Sequence, residues 1–189
     1  MPIHIGQRPD HGFDEPLGLL SDCHRRIEHF LDVLATITDE AAAGPLTPPN
    51  RRALEGSIRY FAVAAPKHTA DEEISLFPRL RENANPEVAA ALAALDALEH
   101  DHQEAQTDHV AVDELARQWL ADGSLSEPSL EKLRQRVARL QALYQRHIAI
   151  EDREVFPIAA RVLHRAQIEE LGREMAARRQ PRLHLPDKG

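Results

Sequence analysis

Two histidine–carboxylate pairs, each one helical turn apart, are the residues of this chain best suited to chemistry. One is His68 with Glu72 in His68-Thr-Ala-Asp-Glu72-Glu73; the other is His147 with Glu151 in His147-Ile-Ala-Ile-Glu151-Asp152. In both copies a Phe-Pro pair, Phe77-Pro78 or Phe156-Pro157, follows the carboxylate at the same distance. An α-helix advances about 100° per residue, so positions i and i+4 project from one face. A neutral imidazole and a carboxylate side by side are ligands for a transition metal of hard-to-borderline character. Two such helices facing each other could hold two metals.

The elements that must present these side chains are helical. Composition favours helix, being rich in Ala, Leu, Arg and Glu and poor in aromatics. Turn signals divide the chain into a first helix from about Pro16 to Ala43, a second from Asn50 to Leu80, a third ending near Ala121 and a fourth ending near Leu163. The breaks are Gly44-Pro45 with Pro48-Pro49, then Asn83-Ala-Asn85-Pro86, then Asp122-Gly123-Ser124. A shorter fifth helix spans Gln167 to Arg179. Short connections favour antiparallel neighbours, so the expected fold is all-α, an up-down-up-down four-helix bundle with a short additional C-terminal helix. The expected organisation is an N-terminal arm at 1–15, the bundle at 16–163, the C-terminal helix at 164–180 and a flexible tail at 181–189.

Apolar rhythm decides which polar residues face inward. Leu54, Ile58, Phe61, Ala65, His68, Glu72 and Leu76 follow one buried stripe, and Leu133, Val137, Leu140, Tyr144, His147, Glu151 and Val155 another. The first helix places His24 inward between Leu20 and Ile27, with His29 off the line. The third selects His102, and His100 should face solvent. Each helix thus offers one histidine near its middle. The spacing is nearly symmetric: His24 precedes His68 by 44 residues and His102 precedes His147 by 45. A lone His-x-x-x-Glu is commonly a surface pair or a satisfied core histidine. Here six polar groups, His24, His68, Glu72, His102, His147 and Glu151, fall on the apolar stripes of four helices. Burying two carboxylates costs several kcal/mol each unless cations or hydrogen bonds compensate, as a rough floor. Coordination to metal cations supplies that compensation; mutual His–Glu pairing could supply part of it.

Other groups have plainer readings. Glu73 and Asp152 point about 100° off the ligand face and read as outer-sphere or surface carboxylates. His109 lies inward but about 10 Å along the axis from His102, as a core or pocket-rim residue. Tyr144 reads as packing with a bonded hydroxyl, or as an outer partner of His147. Cys23 reads as a small buried hydrophobe. Pro66, Pro78 and Pro157 each remove an amide donor and favour a kink beside the histidine–carboxylate pairs.

Bulk properties narrow the function further. A formal net charge of −8 with no basic stripe argues against nucleic-acid binding. A single cysteine excludes an intrachain disulfide and suits a reducing cytoplasm. No apolar run approaches a membrane span, and the N-terminus has no secretory apolar core. The expectation is a soluble cytoplasmic protein.

These residues resemble the hemerythrin-like proteins, the HHE cation-binding domains. The resemblance is carried by Asp22-Cys-His24-Arg-Arg-Ile-Glu28, by the stretch from His68 to Pro78, by Glu99-His-Asp-His102, and by the stretch from His147 to Asp152 with Phe156-Pro157. It implies a four-helix bundle around a carboxylate-bridged, oxo- or hydroxo-bridged pair of irons. Carried onto this chain, Glu72 and Glu151 would bridge, and His24, His68, His102 and His147 would be terminal ligands. The oxygen carriers of that family supply five histidines, two of them four apart on the third helix; here Gln106 stands four after His102. Their fourth helix carries an Asp five after the histidine, a spacing Asp152 satisfies, so Glu151 and Asp152 compete; Glu151 mirrors Glu72 and is preferred. Six protein ligands rather than seven leave the site more open to water or an exogenous ligand. The expected function is non-catalytic binding or sensing of oxygen, iron or nitric oxide. A di-iron oxidase or peroxidase is the alternative, and a zinc-bound or metal-free structural bundle the second alternative.

Overall fold

A computed structural model describes residues 11–40 and 44–180. Residues 1–10, 41–43 and 181–189, among them most of the expected arm and the expected tail, lie outside the described residues. Among the described residues the chain is helical, with no strand. The first rod is α1 (Pro16–Glu40). The second runs through α2 (Pro48–Val63), α3 (Ala65–Ala70), a π-helical turn π1 (Asp71–Leu76) and α4 (Phe77–Arg81). The third is α5 (Val88–Asp122). The fourth comprises α6 (Glu127–Ile150), a second π-helical turn π2 (Glu151–Val155) and α7 (Phe156–Val162), and α8 (Arg165–Arg179) follows. Around the bundle α1 adjoins α2 and α6, and α5 adjoins the same two helices. Sequence neighbours are therefore spatial neighbours, the up-down-up-down arrangement expected of short connections.

Local chemistry sets the boundaries. Thr47 and Ser126 adopt extended backbone and accept from the amides of Asn50 and Ser129, and prolines occupy the first turns of α2 and α6, where an amide would be orphaned. Gly123, at φ 77°, closes α5 in the left-handed conformation that glycine adopts without strain. The second rod breaks at Ala64. Pro66 has no N–H for the Ala62 carbonyl, so the α-helical ladder cannot run through.

The bundle has two apolar cores. One, containing Ile27, Leu34, Leu54, Phe61, Trp119 and Leu140, fills the end where residues 44–47 and 123–126 lie. The other, containing Leu20, Phe77, Leu95, Phe156, Leu171 and Met175, fills the opposite end. Helix α8 completes this second core with Leu171 and Met175, both fully buried. Gly172 allows a segment before α1 to cross α8 closely: a Cβ there would stand 1.9 Å from the Phe13 carbonyl oxygen. Between the two cores lies a layer of polar side chains.

Candidate metal centre

Each helical rod gives that polar layer its residues at the same height. His24 sits between Leu20 and Ile27, His102 between Leu98 and Ala105, and the two histidine–carboxylate pairs between Ala65 and Leu76 and between Tyr144 and Val155; all six are buried. The two carboxylates share an unusual backbone. Glu72 lies in π1 and Glu151 opens π2; the amide of Phe77 bonds the Glu72 carbonyl, and that of Phe156 bonds the Glu151 carbonyl, each five residues back. A π-turn inserts one extra residue into the helix. Pro78 and Pro157 follow at the seam where the hydrogen-bond register shifts, and there a missing donor costs least. The Phe-Pro pairs after each carboxylate thus mark two π-turns rather than simple kinks.

The six side chains converge into two overlapping quartets. His24, His68, Glu72 and Glu151 offer donor atoms within 4.8 Å of one another, and so do Glu72, His102, His147 and Glu151. Both carboxylates belong to both quartets. Glu72 Oε1 lies 3.2 Å from His68 Nε2 and 3.6 Å from His24 Nε2, while its Oε2 lies 3.5 Å from His102 Nε2. Glu151 Oε2 stands 3.1 Å from both His24 Nε2 and His147 Nε2. Asp152 is outside the cluster. Its Oδ1 accepts from Ser21 Oγ at 2.8 Å and meets His24 Nδ1 at 3.1 Å.

Outer carboxylates bond two of the four rings, and a third carboxylate stands near one more. Asp152 meets His24 Nδ1, Glu73 Oε1 lies 2.8 Å from His102 Nδ1, and Asp101 Oδ2 lies 3.5 Å from His147 Nδ1. Asp101 is in turn held by Arg146 at 2.8 Å. An ionised carboxylate only accepts, so where it is bonded Nδ1 carries the proton and Nε2 keeps its lone pair for the centre. His68 Nδ1 has no such partner.

The electrostatics are those of charge crowded out of water. Burial, and then the charge of Glu151, push Glu72 up to about 8. Burial opposes ionisation of Glu151 as well, but the His147 and His24 rings beside it hold it low. One carboxylate yields to the other, as like charges sharing a dry site must. Burial, and then the neighbouring His24, drive His68 well below the ordinary histidine value.

These residues fit cations. Glu72 Oε1 and Oε2, Glu151 Oε1 and Oε2, His24 Nε2, His147 Nε2 and Nδ1, and His68 Nδ1 are buried with no hydrogen-bond partner among the described residues. Buried polar atoms are ordinarily satisfied. Here at least six of these atoms face one another across the shared carboxylates, and two divalent cations would satisfy them together.

The remaining histidines are elsewhere. His29 and His100 are exposed. His109 is apart from the quartets; its Nε2 lies 3.1 Å from the Tyr144 hydroxyl, its ring stacks on Phe61, and burial pushes it down to about 4. Tyr144 in turn stands edge-on to His147, with ring centroids 6.2 Å apart. A cavity of about 310 Å³ adjoins His109, floored by Ile58, Phe61 and Val112 and rimmed by Pro66 and Val110. Cys23 is a buried free thiol.

Two carboxylates escaped the sequence reading. Asp101 lies beside His102 in the chain yet stands 3.5 Å from His147 Nδ1 across the helix interface, which no single-helix periodicity reveals. Asp71 is fully buried, its Oδ1 taken by Arg178 Nη1 at 2.7 Å and its Oδ2 by Arg179 Nη2 at 2.6 Å. Its one trace in the sequence is a broken repeat: the second copy has Ile150 at the equivalent position.

No described helix is long and apolar enough to cross a membrane. The family model for the hemerythrin HHE cation binding domain matches residues 15–180 of this chain. An uncharacterized protein of Haemophilus influenzae is 28% identical over 169 residues, which span 89% of this chain and 92% of that protein.

Proposed function

Since the chain belongs to the hemerythrin HHE cation-binding family, we propose that it is a non-haem di-iron protein that binds or senses a small diatomic ligand, oxygen or nitric oxide, or iron itself. The observation that carries this reading is the sharing of Glu72 and Glu151 between two donor quartets whose buried atoms have no other partner. His24 and His68 would serve one cation, His102 and His147 the other, and the two carboxylates would span both. When bound, the iron pair supplies the redox-active Lewis acid at which such a ligand is held.

The chain's own residues supply the rest. Two carboxylates offset part of the cationic charge in a site closed to solvent. Asp152 and Glu73 fix the tautomers of His24 and His102. Phe156, stacked on His24 with centroids 5.3 Å apart, and Tyr144 on the opposite side exclude water from the rings. Six protein ligands for two cations would leave coordination positions open to an exogenous ligand.

A second reading, a di-iron oxidase or peroxidase, draws on a different observation. The cavity beside His109 is separated from His147 by Tyr144, whose hydroxyl bonds His109. A reductant bound there would lie one side chain from the centre. Repeated turnover with peroxide and a phenolic reductant would favour it over simple binding.

The test is anaerobic reconstitution with ferrous ion, with iron counted per chain and the visible spectrum recorded before and after oxygen or nitric oxide is admitted. About two irons per chain and a spectral change that reverses on removing the gas support binding or sensing. One zinc, or no metal and no spectrum, sinks the di-iron reading.

A further inference from the structure

The pseudo-symmetry of the two histidine–carboxylate motifs is broken at one place, and α8 occupies it. Asp71 stands between His68 and Glu72 in the chain, and each of its oxygens is taken by a different arginine from the last turn of α8. Arg178 also bonds the hydroxyl of Ser75, a fully buried residue of the same π-turn. Arg79, three residues beyond π1, grips Glu174 of α8 with both terminal nitrogens, at 2.9 and 3.1 Å, and bonds the Ser75 carbonyl at 2.7 Å. In the second copy the equivalent residues are Ile150 and the exposed Glu154, so the buried carboxylate and hydroxyl that anchor this clamp have no counterpart at π2.

The same helix reaches the other ligand-bearing helix of that half, since α8 packs against α1 as well as against α3 and π1. Helix α8 therefore sits against the three elements that present His24, His68 and Glu72, three members of one quartet. Each quartet has one imidazole bonded by an outer carboxylate, Asp152 on His24 and Glu73 on His102, while His68 Nδ1 and His147 Nδ1 have no hydrogen-bond partner among the described residues. What sets the His24–His68 position apart is the helix packed against it.

We propose that Arg178 and Arg179 are positioning residues for the cation position of His24 and His68, so that docking of α8 governs retention of a cation there. The inference rests on the two-cation reading of the site. The guanidinium groups touch no ligand atom; they hold Asp71, and through it the π-turn that aims His68 and Glu72. By reciprocity, a cation bound at that position tightens the docking of α8. The C-terminal helix is then the element through which occupancy of the centre is felt at the protein surface.

The experiment is a stepwise anaerobic titration of the full chain with Co²⁺, following visible absorption and calorimetric heat, on wild type and on the Arg178→Gln/Arg179→Gln double variant. Wild type is expected to take up two cations in resolvable steps. In the double variant one step stays and the other weakens about 10–100-fold, the range seen when groups supporting metal ligands are removed. His68→Ala is expected to lose that same step. A double variant that binds both cations as wild type does overturns the clamp while leaving the two-cation reading intact; a wild-type chain that takes up no cation overturns both. A wild-type measurement guards against a variant that fails to fold. Amide exchange in Met175–Arg179 should slow on cation loading by a larger factor than in Ala116–Trp119 of α5. Equal protection at both sites overturns the proposal.

Discussion

Glu73 Oε1 lies 2.8 Å from Nδ1 of His102, on a helix that is not its own. The residue next to a carboxylate shared by both quartets thus orients the imidazole across from it, and Asp152, next to Glu151, does the same for His24 at 3.1 Å. Each motif supplies two carboxylates about 100° apart on its helix, one for the centre and one for a neighbour's ring.

Glu73→Gln and Asp152→Asn keep shape but remove the charge that holds Nδ1–H in place. Each is expected to weaken cation binding about 10–100-fold with little change in metal-free stability. Competition against a chelator of known affinity checks this. Affinity within twofold of wild type would mean that these carboxylates are bystanders.

Replacing a carboxylate shared by both quartets should divide stability from cation binding. Glu72 and Glu151 are fully buried beside each other, with no hydrogen-bond partners for their oxygens. Glu72→Leu removes one of two crowded acids, and in chelator it is expected to unfold about 1–2 kcal/mol later than wild type, as apolar replacements of buried charge often do. The same variant should gain nothing from added metal. Thermal unfolding with and without chelator reads both effects; a variant still stabilised by metal would contradict the bridging role.

His109 predicts a pH effect away from the centre. Burial lowers its folded value to about 4, against the ordinary 6.5, so the folded chain resists protonation that the unfolded chain accepts. A depressed folded value contributes stability above pH 6.5 that is lost as the pH falls towards 4. Between pH 7 and pH 5 that loss is about 2 kcal/mol, from 1.36 kcal/mol per pH unit. Urea unfolding of wild type and His109→Gln at both pH values isolates it. The wild-type advantage should shrink by that amount at pH 5, and a constant difference would refute the assignment.

Gly172 supplies a steric test of α8 docking. A methyl group there meets the Phe13 carbonyl oxygen at 1.9 Å, which neither backbone can absorb in place. Gly172→Ala is expected to cost about 1–3 kcal/mol, the usual range for overpacking, despite alanine's better helix propensity. Denaturant midpoints decide it, since propensity alone would stabilise the variant.

The helices and the inward positions of His24, His68, Glu72, His102, His147 and Glu151 were legible because each follows from the period of one helix. Pairings between helices were not. Asp101 stands near His147, and Asp71 serves Arg178 and Arg179, through distances that depend on how two helices pack. The π-turns left a fainter mark. With 3.6 residues per turn, the stripe predicts Leu76 and Val155 as the buried residues after each carboxylate. In the structure Phe77 and Phe156 are buried as well, positions the stripe alone does not select, and each stands five residues after an acidic residue whose carbonyl its amide bonds.

The polar layer also separates the two apolar cores of the bundle, one around Trp119 and the other around Phe77. Oil-like contact binds each end to itself, and the waist between them is charge. With cations in place the waist would join the two ends, and they are expected to melt as one. Without them its buried donor atoms have no partners, so cooperativity is expected to weaken at the waist first.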